Sequence, residues 1–273
     1  MYPRISIVMP SFNQAIYIDE SIKSVLDQNY PNLEFMVLDG GSTDGSREII
    51  ERYADNLNYW HSQPDKGQTD AIVMGFKRAT GDLLGYLGSD DVLLKNSLQK
   101  IASAFNQNPK GGFFGGDYIQ IDDNGLIIRF KKHTRYAAWL GRHGLQVISP
   151  EWLFTREAYT EVGGMIPEFE YIFDTDLFYR MASEGIKFIY INAPLIGFRY
   201  HPDSKTVSQQ ERFINEFRIR RSLTKNNRKN VLYRALIKNI YRVSQTINGN
   251  IFRNISHTNR YRGVHWREFE KEF

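Results

Sequence analysis

The stretch Leu83-Leu-Gly-Tyr-Leu-Gly-Ser-Asp-Asp91 is a short apolar run that ends in two adjacent carboxylates. The run 83–87 has the length and composition of a buried β-strand. In an open α/β sheet the ligand crevice lies outside the carboxyl ends of the strands, so we expect Asp90 and Asp91 at its mouth. Carboxylate oxygens at that place suit Mg²⁺ or Mn²⁺ that bridges a diphosphate. Asp-Asp pairs also cap helices, and it is the position after a strand that favours a metal site.

The sequence around this stretch alternates short apolar runs with helix-like segments, which is the pattern of βα units. Polar clusters at 11–13, 39–44 and 89–91 follow three of the predicted strands, so we expect them to meet at one edge of a sheet. The predicted strands are 5–9, 33–38, 57–61 and 83–87, and the predicted helices are 16–26, 46–54, 69–79 and 97–106.

After Gly111 the pattern changes to glycine-rich strands around a tight turn. The fold prediction is therefore an α/β, Rossmann-like mixed sheet that is flanked by helices and followed by a helical C-terminal extension. Residues 1–210 are expected to form the catalytic domain, and residues 211–273 the extension. The elements predicted in this part are strands at 113–121, 126–130 and 187–191 and a helix at 174–183.

The composition of the 273 residues excludes several kinds of site. Because no cysteine is present, disulfides, thiolate zinc sites, iron–sulfur clusters and cysteine nucleophiles are ruled out. A bound metal must then use oxygen or imidazole ligands. The sequence shows no secretory signal pattern and no run of about 18 apolar residues, so we expect a cytoplasmic protein.

The formal net charge of +4 is unevenly distributed along the chain. Residues 1–210 carry 20 Lys/Arg and 26 Asp/Glu, whereas residues 211–273 carry 15 and 5. The absence of acidic residues between Phe217 and Arg267 indicates that the extension meets something anionic. Packing of a basic helix onto the catalytic domain is the default interpretation, and peripheral docking at the inner face of a membrane is the alternative. Nucleic acid is not an expected partner, because no nucleic-acid-binding motif accompanies the charge.

The segment Asp39-Gly-Gly-Ser-Thr-Asp-Gly-Ser46 follows the second predicted strand and opens a helix. Backbone amides and hydroxyls at such a place can hold a nucleotide, although the same residues also serve a turn and a helix cap. The segment does not match G-x-G-x-x-G, and no Walker A lysine motif occurs in the chain. Dinucleotide-binding and P-loop folds therefore lose support.

Five motifs stand in a characteristic order: Pro10-Ser-Phe-Asn13, Asp39-Gly-Gly-Ser-Thr-Asp44, Gln63-Pro-Asp-Lys-Gly-Gln68, Gly81-Asp82 and Ser89-Asp90-Asp91. Together they resemble the large family of inverting glycosyltransferases of GT-A fold, which includes bacterial envelope-polysaccharide transferases, chitin synthases and cellulose synthases. The resemblance covers roughly residues 3–206. It implies that the protein moves a sugar from a nucleotide-diphosphate donor to an acceptor hydroxyl with inversion, in the synthesis of a cell-envelope polysaccharide or glycoconjugate.

The resemblance also implies roles for individual residues. Asp90 and Asp91 would hold Mn²⁺ or Mg²⁺, and His201 would complete the metal or diphosphate site. A UDP-sugar is the expected donor. The identity of the base stays open, because Gly40 stands where the family often has a second carboxylate that contacts the base. Gly88 likewise replaces the first carboxylate of the usual metal motif. The residues expected at the nucleotide sugar are Pro10, Phe12, Asn13, Asp39, Ser42, Asp65, Lys66, Asp90 and Gly164.

The segment Phe173-Asp-Thr-Asp-Leu177 resembles the family's Glu-Asp-x-Asp-Leu segment, with Phe173 in place of the glutamate. The resemblance makes Asp174 the general base that takes the proton of the acceptor hydroxyl. Because Asp174 also opens a predicted helix, capping of that helix is the competing interpretation.

The expected acceptor is a sugar, a lipid-linked sugar or another glycan. Two further functions stay open at this point. A nucleotidyltransferase would share the sheet and the metal carboxylates but would need a glycine-rich, basic loop after the first strand, where Ser11-Phe-Asn13 stands. A non-catalytic nucleotide-sugar-binding module would bind the donor without turning it over.

Overall fold

The computed structural model describes residues 2–133, 139–140, 153–202, 204–205, 209–223, 239–241, 243, 246 and 250–272. The strands are β1 Ile5–Ser11, β2 Leu33–Asp39, β3 Tyr59–Ser62, β4 Leu83–Tyr86, β5 Val92–Leu93, β6 Phe113–Ile121, β7 Ile127–Lys131, β8 Leu153–Thr155 and β9 Phe188–Arg199. These nine strands of the described residues form one sheet in the order β3-β2-β1-β4-β8-β6-β9-β5, and β7 pairs with β6.

Helices flank this sheet, as predicted. None of the helices in the described ranges combines the length and the apolar character that crossing a bilayer requires. The helices are α1 Ile18–Leu26, α2 Ser46–Glu51, α3 Gln68–Arg78, α4 Ser97–Gln107, α5 Arg156–Glu161, α6 Phe173–Glu184, α7 Gln210–Leu223, α8 Asn250–Tyr261 and α9 Trp266–Phe269, with 3₁₀ turns at Ala54–Asn56 and Glu270–Glu272.

The strands β1 to β4 are mutually parallel, which is the arrangement expected of consecutive βα units. Alternate residues of β1 enter different core clusters, because Val8 packs with Met36 and Leu38 while Ile7 packs with Phe35. Both faces of the sheet are therefore covered, which explains why β1 is apolar along its whole length. The parallel direction also brings the polar clusters that follow β1, β2 and β4 to one edge of the sheet.

The strand β9 is much longer than the predicted strand 187–191. It pairs in parallel with β6 as far as Arg199, with a shift in register near Gly116. Asn192 and Pro194 interrupt its apolar pattern, and this hides the continuation of the strand in the sequence. The short strands β5 and β8 carry no sequence signal either, since two or three residues are too few to show a period.

The end of the described chain packs on β6 and β7. Tyr261 and Trp266 are buried in a cluster that contains Phe130. The backbone N–H of Trp266 donates to the carbonyl oxygen of Gly125 over 3.0 Å. These contacts cross the predicted boundary after residue 210, and the division into two domains stays a prediction.

Replacement of Trp266 by alanine should lower the free energy of unfolding by about 3–5 kcal/mol, because it removes a large buried ring that is only 3% exposed. It also removes the hydrogen bond from the indole Nε1 to Glu20, which is 3.1 Å long. Phe252→Ala is the matched control, since the Phe252 side chain is 66% exposed and its loss should cost no more than about 0.5 kcal/mol. Urea denaturation measures both values, and equal small losses would contradict the packing described above.

Candidate active site

A cavity of about 800 Å³ opens at the carboxyl ends of the parallel strands. This is the size and the place expected of a ligand site in an α/β sheet. The ends of the parallel strands and the loops after them contribute Pro10, Ser11, Phe12, Gly40, Asp65 and Gly67, together with Gly88, Ser89, Asp90 and Asp91. The lining also contains Tyr86, Tyr118, Gln120, Glu170, Tyr171, Phe173, Asp174, Phe198, Ser204, Lys205 and Phe213.

Three of the residues predicted at the nucleotide tie two loops together and do not line the cavity. The buried carboxylate of Asp39 accepts hydrogen bonds from the Ser42 N–H at 2.9 Å and from the Ser62 hydroxyl at 2.6 Å. The Ser42 hydroxyl in turn accepts the backbone N–H of Asn13 over 2.7 Å, and the Asn13 side chain accepts the N–H of Thr43 over 3.0 Å. The polar groups of Asp39, Ser42 and Asn13 therefore fix the geometry of the loops that carry the lining residues.

The wall beside these loops is suited to a nucleoside. Phe12 presents an exposed ring at the cavity, and Pro10 lies at its base. Within the described part of the chain, the buried hydroxyl of Ser11 has no hydrogen-bond partner although it lies on this wall. A ligand group that reaches Ser11 would satisfy it.

Asp65 occupies the space next to Gly40. A Cβ atom at position 40 would lie 3.1 Å from the Asp65 Oδ2, so a side chain there would require that carboxylate to shift by a few tenths of an ångström. Burial raises the pKa of Asp65, and the N–H of Gly67 donates to it over 2.8 Å. Asp65 thus supplies a carboxylate close to the place where Gly40 lacks one. Lys66, in contrast, is exposed and does not line the cavity.

Asp90 and Asp91 converge on one point. A Cβ atom at Gly88 would lie 2.7 Å from Asp90 Oδ1 and 2.9 Å from Asp91 Oδ2, so the two carboxylates share the space that a side chain at position 88 would fill. Burial, and then the charge of Asp90, raise the pKa of Asp91 well above its usual range. Two such oxygens fit a divalent cation, whose remaining ligands are commonly water and substrate phosphates.

His201 lies behind this pair. Its Nε2 is 3.1 Å from Asp90 Oδ2, and its ring packs on Tyr17 with 5.0 Å between the centroids. The imidazole therefore orients Asp90 and does not line the cavity itself. Among the described residues there is no preformed group of three His, Asp or Glu side chains with metal-binding geometry.

Arg199 fixes the Asp90–Asp91 loop from beneath. Its backbone N–H donates to Asp91 Oδ1 over 2.8 Å, and its Nε donates to the Asp90 carbonyl oxygen over 2.8 Å. Its Nη2 pairs with Glu20 at 2.6 Å. Arg199 is the last residue of β9, and its side chain is 1% exposed.

Asp174 lies in the first turn of α6. The residue that caps this helix is Ile172, so the interpretation of Asp174 as the N-cap is wrong. The carboxylate is half-buried, accepts the N–H of Thr175 over 2.6 Å and lines the cavity. Burial raises the pKa of Asp174 to about 6. A carboxylate with that pKa is ionised at pH 7 and is a stronger base than an ordinary aspartate.

Asp176 has a different environment although it lies on the same helix. Its carboxylate is buried and binds Arg180 Nε at 2.7 Å and Arg220 Nε at 2.9 Å. It does not line the cavity. The geometry therefore distinguishes a cavity carboxylate, Asp174, from a structural one, Asp176.

Gly164 lies outside the cavity lining. Gly163 and Gly164 both have positive φ, at 78° and 73°, and turn the chain at the end of α5. A Cβ atom on Gly164 would lie 3.0 Å from the Tyr159 ring, which makes the turn specific for glycine. The turn directs the following segment back to the cavity, where it contributes Glu170.

Several lining residues have only weak sequence signals. Tyr118 and Gln120 alternate along β6 with the buried Ile119 and Ile121, and this period of two indicates that they share the cavity face. Glu170 pairs with Lys205 at 3.0 Å across the cavity wall, but 35 residues separate them in the chain. No local pattern could connect them.

The family model described as "Glycosyl transferase family 2" matches residues 6–163, which is more than half of the chain. The match contains the loops after β1, β2 and β4. It ends before Asp174 and His201.

Individual relatives align with a smaller part of this chain than the family model does. The Escherichia coli protein named "UDP-Glc:alpha-D-GlcNAc-diphosphoundecaprenol beta-1,3-glucosyltransferase WfgD" is 33% identical over 127 residues, which are 46% of this chain and 50% of that protein. In eight curated relatives of this kind, the aligned part spans between 19% and 60% of the relative's length.

Solved structures confirm the predicted fold class. The S. aureus protein TarS, residues 1–349 in complex with UDP-GlcNAc, superposes with a TM-score of 0.63 at 18% identity and covers 81% of this chain and 67% of that chain. The mannosyltransferase PcManGT from Pyrobaculum calidifontis, in complex with GDP-Man and Mn²⁺, superposes with a TM-score of 0.52 at 19% identity. The superposition covers 71% of this chain and 55% of that chain. At these identities the similarity concerns the fold alone.

Proposed function

We propose that this chain, which belongs to glycosyl transferase family 2, moves a sugar from a nucleoside diphosphate to an acceptor hydroxyl with inversion at the anomeric carbon. The observation that carries the proposal is one cavity that is lined both by the paired carboxylates Asp90 and Asp91 and by the half-buried carboxylate Asp174. The carboxylates of Asp90 and Asp91 suit a diphosphate with its cation, and the carboxylate of Asp174 suits proton transfer.

Asp174 acts as the general base in this proposal. Its carboxylate accepts the proton of the acceptor hydroxyl while the hydroxyl oxygen forms a bond to the anomeric carbon. The bond between that carbon and the diphosphate oxygen breaks with its electron pair, so the nucleoside diphosphate leaves. Because attack and departure occur on opposite faces in a single displacement, the configuration inverts.

The residues Asp90 and Asp91 would hold Mn²⁺ or Mg²⁺, which neutralises charge on the leaving diphosphate when it is bound. His201 orients Asp90 through its 3.1 Å contact, and Arg199 holds Asp91 through its backbone N–H. The protein's contribution is therefore a fixed pair of oxygens at the end of β4.

The donor is proposed to be a UDP-sugar. The exposed ring of Phe12 offers a stacking surface to a base, and Pro10 forms the wall beside it. Asp65 supplies an acceptor for an N–H group of a pyrimidine next to Gly40. Ser11 offers a hydroxyl without a partner among the described residues.

The acceptor is proposed to be a lipid-linked sugar or glycan of the cell envelope. The name of the E. coli relative describes a diphosphoundecaprenol acceptor for that protein. The lining of the cavity also contains aromatic side chains such as Tyr118, Phe198 and Tyr171, which suit the apolar faces of sugar rings.

Contact with a membrane would place the enzyme near such an acceptor. The helix α8 exposes Ile251, Phe252 and Ile255, whose spacing puts them on one side of the helix. Arg253 and Arg262 next to them are exposed. We propose that this face docks on anionic lipid at the inner side of a membrane, since a shallow apolar face with flanking cations binds reversibly there.

Replacement of Asp174 by asparagine should lower kcat about 10²–10⁴-fold while the affinity for UDP stays near that of the unchanged protein, because only proton transfer is lost. The pH profile of kcat/KM should rise with pH and level off above about 6, since the base must lose its proton and burial raises the pKa of Asp174 to about 6. Release of UDP from UDP-sugars, with and without acceptor glycans, measures both effects.

Asp176→Asn is the control for this measurement. It breaks the contacts with Arg180 and Arg220 and should lower stability, with a smaller effect on kcat measured well below the melting temperature. An active Asp174→Asn protein beside an inactive but folded Asp176→Asn protein would show that the wrong carboxylate is assigned. A protein that binds UDP but turns over no donor would be a binding module.

Removal of the divalent ion should weaken nucleotide binding. UDP with Mn²⁺ should raise the melting temperature of the protein more than UDP with excess chelator, because a ligand that binds only the folded state stabilises it. Asp91→Asn should abolish the difference, whereas Asp55→Asn, which changes an exposed carboxylate outside the cavity, should retain it. Equal melting temperatures with ion and with chelator in the unchanged protein would contradict the metal proposal.

Membrane docking predicts that the protein co-sediments with vesicles that contain anionic lipid and less with neutral vesicles, and that salt weakens the binding. Phe252→Glu should abolish co-sedimentation, because it places a negative charge in the centre of the apolar face. Ile16→Glu makes a similar change at a side chain that is 84% exposed elsewhere and should leave binding intact. Binding that ignores lipid charge, or that survives Phe252→Glu, would refute the docking face.

A further inference from the structure

The helix α7 lies against the segment that leads into α6. The carboxylate of Glu216 accepts three consecutive backbone N–H groups, from Glu170 at 2.9 Å, from Tyr171 at 2.8 Å and from Ile172 at 3.2 Å. Ile172 is the N-cap of α6. Glu216 therefore holds the backbone at the last three residues before the helix on which Asp174 stands.

A second contact holds the same helix from the other side of Asp174. Arg220 donates from Nε to Asp176 over 2.9 Å, and Arg180 on α6 completes the surroundings of that carboxylate at 2.7 Å. Glu216 and Arg220 are four residues apart on α7 and thus lie on one face of it. Ionised groups make stronger and more directional hydrogen bonds than neutral ones, so this face of α7 fixes the position of the first turn of α6.

The helix α7 also takes part in the cavity itself. Phe213, one turn before Glu216, lines the cavity, and Phe217 packs against the core cluster that contains Phe173. The chain that leads into α7 includes Lys205, which pairs with Glu170 at the cavity wall. Residues 170–172 before Asp174 and Asp176 after it are thus both in contact with side chains of α7.

We propose that Glu216 is a positioning residue for the transfer reaction: it holds residues 170–172 so that the carboxylate of Asp174 faces the acceptor hydroxyl. This inference rests on the proposed role of Asp174 as the base. It assigns the first helix of the C-terminal extension to the active site, whereas the sequence places that helix outside the catalytic domain. A displacement of about 1 Å at a reacting group can reduce a rate by about 10²-fold, so loss of the contact acts through geometry.

The experiment compares Glu216→Ala, Glu216→Gln and the control Glu211→Ala. Glu211 lies in the first turn of the same helix and is exposed, so it matches the change in charge without the contact to residues 170–172. Glu216→Gln keeps a carbonyl oxygen that can accept part of the hydrogen bonding and should restore part of the activity. For each protein we would measure hydrogen exchange of a peptide that covers residues 168–176, kcat with its KM for the donor, UDP affinity and melting temperature.

The expected result for Glu216→Ala is faster exchange in 168–176 and a kcat about 10- to 100-fold lower, with the KM for the donor and the UDP affinity within about twofold of the unchanged protein. Glu216→Gln should lie between, and Glu211→Ala should match the unchanged protein. Unchanged exchange, or faster exchange with unchanged kcat, would overturn the proposal. A parallel fall of kcat, UDP affinity and melting temperature would also overturn it, since that is the effect of a merely structural residue.

Failure of the proposed function gives a different result. If the unchanged protein turns over no donor, then the function is refuted and a positioning role in transfer falls with it. Faster exchange in Glu216→Ala would then still show that Glu216 holds residues 170–172. An active unchanged protein with an equally active Glu216→Ala variant refutes the positioning role alone.

Discussion

The hydrogen bonds of the buried Arg199 guanidinium are the interactions on which the geometry of the cavity depends. Because the group is always charged and is 1% exposed, it must be satisfied by fixed oxygens. Those oxygens come from three separate parts of the chain, namely Glu20 on α1, the Asp90 carbonyl and the carbonyls of Asp122 and Asp123. The end of β9 is thereby joined to the loop after β4. The carboxylates of that loop are held by two other contacts of the same segment, since the backbone N–H of Arg199 donates to Asp91 and His201 Nε2 lies 3.1 Å from Asp90.

Two kinds of carboxylate line the cavity, and their environments explain their different chemistry. The pKa of Asp91 is raised by burial and by the charge of Asp90, which is an arrangement that a cation relieves. The pKa of Asp174 is raised to about 6 by burial alone, with no second carboxylate among the causes, which is an arrangement that a proton relieves. The same residue type therefore suits a metal in one environment and proton transfer in the other. This difference argues for a displacement reaction that has a charged leaving group and an attacking hydroxyl.

The parts of the structure that follow from local pattern could be predicted from the sequence. The strands β1, β2 and β4 and the polar clusters after them lie where the continuous apolar runs of the sequence predict them, because both faces of the parallel sheet are buried. Asp65 beside Gly40 and the Glu170–Lys205 pair could not be predicted, since each joins loops that are distant in the chain. The full length of β9 could not be predicted for another reason. Asn192 and Pro194 interrupt its apolar pattern in the sequence, but the strand continues past them because it stays paired with β6.

The ion pairs of the C-terminal extension could not be predicted from the sequence either. They affect how strongly its charge would attract a membrane. The sequence presents the extension as a block with a formal charge of +10, yet part of that charge is paired with carboxylates of residues 1–210. Arg220 is bound to Asp176, and Arg267 approaches Glu20 at 3.5 Å. Cations held in such pairs attract a bilayer less than their number indicates, so net charge alone overstates the electrostatic term. Docking of α8 would then depend on its exposed apolar face as much as on charge, and salt would weaken such binding without abolishing it.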